Sequence, residues 1–166
     1  MTADSPRRPD ADSPERQGQQ SPRQSTGWPA IDEAEALLHD ARSLPDLLAA
    51  SIEAFEAILL VARRCEDQAP ELLAAFMTCA DAAVDGREAI MAAPSITHAT
   101  RTPNSGDGDA VHVDAADAAA ALSALGILLG GNLANAATQA AGAGDRAACR
   151  NAALAARRIG QLMRDG

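Results

Sequence analysis

The stretch Asp114 to Asp145 reads DAADAAAALSALGILLGGNLANAATQAAGAGD, and its character decides the fold. Leu122, Leu125, Leu129 and Leu133 recur at steps of three and four in an alanine background without proline. Alanine and leucine favour helix, whereas strands draw on β-branched and aromatic residues. Asp114 with Asp117 three residues on marks a helix start, and Gly142-Ala143-Gly144 marks a stop. Together they predict a helix from 114 to about 141. Its apolar residues lie nearly all round the cylinder, the pattern of a core helix. The most apolar part, Ala118 to Gly131, is broken by Ser123 and followed by Asn132, Asn135 and Gln139. That part is shorter than the roughly 20 residues of a membrane span, so a buried central helix is expected.

Working outward, Asp145 reads as the cap of a last helix ending near 165, joined to the central helix by a short turn. Upstream, residues 95–112 carry no period and many turn formers, which predicts a long flexible loop. Asp67 and Pro70 open a helix over 70–93 with Leu73, Phe76, Met77, Ala80, Val84 and Met91 as its core face; Pro94 stops it. Ser43, Pro45 and Asp46 supply a cap, a first-turn proline and an acid at the third position, which start a helix over 44–66. Ile31 to Ala41 forms a short amphipathic helix. Residues 1–29 hold five of the nine prolines and no periodic apolar residues, the composition of a disordered tail. Trp28 stands where that tail meets the domain, placed to dock as a staple.

Short turns force helices antiparallel. The expected fold is therefore all-α. It is an antiparallel four-helix bundle of two hairpins, 44–93 and 114–165, with a short extra N-terminal helix, residues 30–166 forming a single domain.

Composition narrows the function. The chain has 166 residues and a net charge of −9, about a quarter of it is alanine, and all 14 basic residues are arginine. Such an acidic balance repels a phosphate backbone and an anionic membrane surface, so neither nucleic acid nor membrane is expected as a partner. The absence of lysine excludes Schiff-base chemistry and phosphate-loop lysines; with the alanine excess it reads as high-GC bacterial coding bias. Cys65, Cys79 and Cys149 fall singly in three helices, as buried reduced thiols of a cytoplasmic protein would.

Candidate sites are few. At about 100° per residue, Arg146, Arg150, Arg157 and Arg164 share a narrow sector of the last helix, away from Ala152, Ala156, Ile159 and Met163. Such a stripe suits an acidic partner helix or a phosphorylated ligand. The more ordinary reading is a solvated outer face, with the acidic flank Asp81, Asp85 and Glu88 as a partner for it. Gly126, Gly130, Gly131 and Ala134 form a small-residue run where another helix of this chain, or of a second subunit, presses close. An apolar ligand beside Gly126 to Gly131, with Arg150 or Arg157 at the pocket mouth, is the alternative reading. His98, His112, Asp107, Asp109 and Asp114 cluster around the loop but lack calcium-loop spacing and the one-turn histidine pair of a zinc site. No catalytic residue, metal site or cofactor is expected. The sequence points to a non-enzymatic helical protein that acts by protein contacts, as a homodimer or an accessory factor, with a small-ligand module as the alternative.

Overall fold

The computed structural model describes residues 26–96 and 114–165. Expectations for residues 1–25 and 97–113, among them His98, Asp107, Asp109 and His112, lie outside the described residues. Five α-helices pack together and no strand occurs among the described residues: α1 (Pro29–Asp40), α2 (Leu44–Glu66), α3 (Leu73–Met91), α4 (Ala115–Gln139) and α5 (Ala143–Asp165). The most extensive contact joins α4 to α5. Helix α5 also packs on α3, α3 on α2, and α2 on α4, while α1 lies against α2 and α4.

Local chemistry fixes the helix ends. Thr26 donates from its N–H (3.0 Å) and its hydroxyl (2.9 Å) to Asp32 Oδ1, and Trp28 folds into the core ahead of Pro29. Proline at a first helical position loses no hydrogen bond, so α1 starts at Pro29 instead of Ile31. Ser43 and Asp46 form a reciprocal capping box at the head of α2. Asp114 Oδ1 accepts from the Ala116 N–H at 2.8 Å and caps α4.

Three expectations are corrected. The helix over 70–93 is instead one 3-10 turn, Pro70–Leu72, followed by α3. Its buried face is also rotated. Cys79, Ala82, Ala83, Gly86 and Ile90 join Phe76 and Ala80 inside, while Leu73, Met77 and Met91 stand exposed. In an alanine-rich helix small side chains permit the closest approach, and a Cβ on Gly86 would overlap the Phe55 ring. Asp145 is not a cap, because α5 already starts at Ala143 and the Arg146 N–H donates to the Gly142 carbonyl. Its buried carboxylate accepts from the Ser95 N–H (2.9 Å) and hydroxyl (2.8 Å), tying the head of α5 to the segment after α3.

The third correction concerns α4. It runs for 25 residues and is, by length and composition, apolar enough to cross a membrane, with a mean hydropathy of 1.4 in its most apolar window. Half of that window is buried. The rest, including Ala120, Ala124, Ile127 and Gly131, faces outward, so α4 is a core helix on one side only.

The buried side of α4 meets α5 at glycine. A Cβ on Gly126 would come within 2.9 Å of both the Ala156 carbonyl oxygen and the Gly160 nitrogen. One on Gly130 would meet Arg157 Cγ at 3.0 Å, and one on Gly160 would meet Ile127 Cγ1 at 3.0 Å. Inside this contact the Ser123 hydroxyl donates to the Gly160 carbonyl at 2.9 Å. Gly131 faces open space and Ala134 is half-buried. Two alanine substitutions therefore separate opposite effects. Gly126→Ala should lower stability by about 1–3 kcal/mol, because backbone cannot move aside as a flexible side chain does. Gly131→Ala should raise it by up to about 1 kcal/mol through helix propensity alone. Urea unfolding monitored by circular dichroism measures both.

Candidate protein-contact face

Helix α5 turns Ala152, Ala153, Ala156, Ile159, Gly160 and Met163 inward, which leaves its arginines outside. The four stripe arginines do not share one environment. Arg146 is half-buried, and its Nη1 donates to the Ala140 carbonyl (2.9 Å) and the Ala141 carbonyl (2.6 Å). It is spent on closing the C-terminal end of α4, where the negative pole of the helix attracts a cation. Arg157 lays its aliphatic stem across Gly130 and keeps an exposed head. Arg150 and Arg164 are exposed, as is Arg158 further round the helix.

None of Arg150, Arg157, Arg158 and Arg164 has an ion-pair partner among the described residues. Asp81, Asp85 and Glu88 on α3 have none either. The pairing of stripe and acidic flank within one molecule, one of the two readings of the sequence, is thus not made among these residues. Arg87 approaches Glu56 instead, with its Nε 3.2 Å from Oε1, joining α3 to α2.

Apolar side chains stand among these charges. Leu154, 64 % exposed, lies on the helical wheel between Arg150 and Arg157 on one side and Arg158 on the other. Exposed Ile127 of α4 lies beside them, packed near Gly160. On α3 the same construction appears with the opposite sign. Leu73, Met77 and Met91 form an exposed strip, and Asp81, Glu88 and Asp85 follow along its edge. The acidic residues are legible in the sequence, whereas the exposed methionines are not, because the apolar period of α3 places Met77 and Met91 on its inner face.

The space beside Gly126 and Gly130 holds α5 backbone and the Arg157 stem. A cleft is found elsewhere, between the α1–α2 corner and the last turns of α4. Among the described residues no three His, Cys, Asp or Glu side chains gather as metal ligands. The three thiols are free and buried. Burial raises all of them above the ordinary value of 9.0, Cys79 to about 12, which keeps them protonated and poorly nucleophilic.

Two measurements follow from this geometry. Arg146→Ala should cost about 1 kcal/mol in urea unfolding, since two carbonyls lose a charged donor, whereas Arg164→Ala should change stability by less than about 0.5 kcal/mol. An unfolded thiol ionises near pH 9, while folded Cys79 keeps its proton to about 12. Ionisation therefore favours the unfolded chain, and stability that is full below pH 9 falls as the pH rises towards 12. The urea midpoint should drop more steeply above about pH 9 in the native chain than in Cys79→Ala. Comparison with family models, curated proteins and solved structures finds no match for this chain.

Proposed function

We propose that the chain is a non-enzymatic scaffold, an antiparallel four-helix bundle of two hairpins that acts by protein contacts and takes a second copy of itself as partner. The bundle arrangement is supported by the register of α4 on α5: Ser123 meets Gly160, Gly126 meets Ala156 and Gly160, and Gly130 meets Arg157. Rising numbers on one helix face falling numbers on the other. Between α2 and α3, which pack at Phe55 on Gly86 and Glu56 on Arg87, the short connection over 67–72 favours a return of the chain. Helix α1 is laid across α2 and α4.

One observation carries the functional reading. A single molecule exposes a basic strip with Leu154 and Ile127, and an acidic strip with Leu73, Met77 and Met91, and leaves both without ionic partners among the described residues. Opposite charges laid along apolar helix faces are complementary docking surfaces. Free thiols fit a reducing compartment such as the cytoplasm. The net charge of −9 disfavours nucleic acid and anionic membrane as alternatives.

Paired charge reversals test this. Arg150→Glu with Arg157→Glu, and separately Asp81→Arg with Asp85→Arg, change only exposed side chains. Each double variant alone should be monomeric by light scattering at low salt, where the native chain associates. An equimolar mixture should associate again, because each variant then offers what the other has lost. A native chain that is monomeric at all concentrations, or a mixture that stays monomeric, rejects self-association.

A further inference from the structure

The polar end of α4 faces a cleft that the contact face does not use. It encloses about 470 Å3 between the α1–α2 corner and the last two turns of α4. Leu38, Leu44 and Leu47 make its apolar side, with Ala136 and Ala140 across from them. Asn132, Asn135 and Gln139 supply the polar side. These are all the carboxamides in α4, an otherwise alanine-, leucine- and glycine-rich helix, and every one of them lines this space.

Its electrostatics run against those of the whole molecule. In a chain of net charge −9, the one charged residue lining the cleft is Arg42. Arg42 has no carboxylate partner among the described residues. The nearby Asp46 carboxylate is turned onto Ser43, whose N–H (3.2 Å) and hydroxyl (2.7 Å) both donate to it. The carbonyls of Ala140 and Ala141, which would present the negative end of α4, are covered by Arg146. Gln139 Nε2 donates to Asn135 Oδ1 at 3.2 Å, so the Asn135 amide nitrogen remains available as a donor. The head of α2 adds little, because Pro45 has no N–H and that of Asp46 is taken by the Ser43 hydroxyl.

We propose that this cleft binds a small organic carboxylate with a short apolar body. The carboxylate takes the guanidinium fork of Arg42 and the carboxamide donors of α4, and the apolar body lies on Leu38, Leu44 and Leu47. Planar forks and carboxylates match in geometry. The volume is that of a small-molecule site, in which a few polar groups orient a mostly apolar contact.

Octanoate is the probe, and 1-octanol its neutral counterpart. Titrated into the 15N-labelled full chain, octanoate should shift the side-chain amide signals of Asn132, Asn135 and Gln139 saturably, and octanol should bind about tenfold more weakly. Arg42 is exposed, so Arg42→Gln should leave the fold intact and bring octanoate down to the affinity of octanol. Gln139→Leu should weaken octanoate more than octanol. Equal binding of acid and alcohol by the native chain overturns the proposal. So does the absence of saturation, or a shift pattern centred on Ile127 and Leu154. The charge reversals on α3 and α5 touch none of these residues, so either proposal can fail without the other.

Discussion

The structure depends on one close approach, the contact of α4 with α5 at Gly126 and Gly160. Ser123 is buried in this contact, and a buried hydroxyl needs a partner. Here the axes come close enough for its hydroxyl to reach the Gly160 carbonyl. Because α5 turns its glycine and alanines towards α4, Arg150, Arg157 and Arg164 are left on the outside. Gly130 then gives the stem of Arg157 a trough to lie in, burying apolar length while the charge stays in water. The basic strip is thus a consequence of how tightly the two helices pack.

Alanine buries little apolar area, so helices of this composition gain less per residue than leucine-rich ones. Polar ties at the helix ends then carry more of the burden of choosing one arrangement. Asp145 reaches Ser95 across 50 residues of sequence, and Arg146 closes α4 from the first turn of α5. Neighbouring residues at the head of one helix therefore fix the ends of two others. Both interactions use charged groups, whose hydrogen bonds contribute more than neutral ones.

The sequence made the helices legible and left their faces obscure. Ser43, Pro45, Asp46 and Asp114 marked starts that the structure keeps, since capping is local chemistry. The inner face of α3 was not readable. With alanine at so many positions the apolar period loses contrast, and Leu73, Met77 and Met91 looked like core when Cys79, Ala82 and Gly86 were. Asp145 resembled a cap because its true partner, Ser95, is remote in sequence. By angle Arg146 belongs to the stripe, although its reach to the end of α4 depends on a turn whose geometry a helical wheel does not describe. In sequence the carboxamides of α4 read only as a break in hydropathy. Their common cleft required the α1–α2 corner to be in place.

The charge pattern bears on how a contact between copies would hold. Exposed ion pairs contribute roughly 0–1 kcal/mol each, and at physiological salt they are screened beyond about 8 Å. Arginines meeting acids across an interface therefore orient the approach and exclude wrong registers more than they supply affinity. Affinity must come from Leu154 and Ile127 on one side and Leu73, Met77 and Met91 on the other. These are single side chains spaced along helices, and an obligate interface buries a broad apolar patch. Methionine adapts to a neighbour's shape at little cost, which suits a surface that must form and release. Contacts built this way would be reversible and salt-sensitive, and each copy would stay folded on parting because its own core is already closed around Phe55 and Phe76. Under the proposed self-association, a complete core with two opposed strips would make assembly follow concentration.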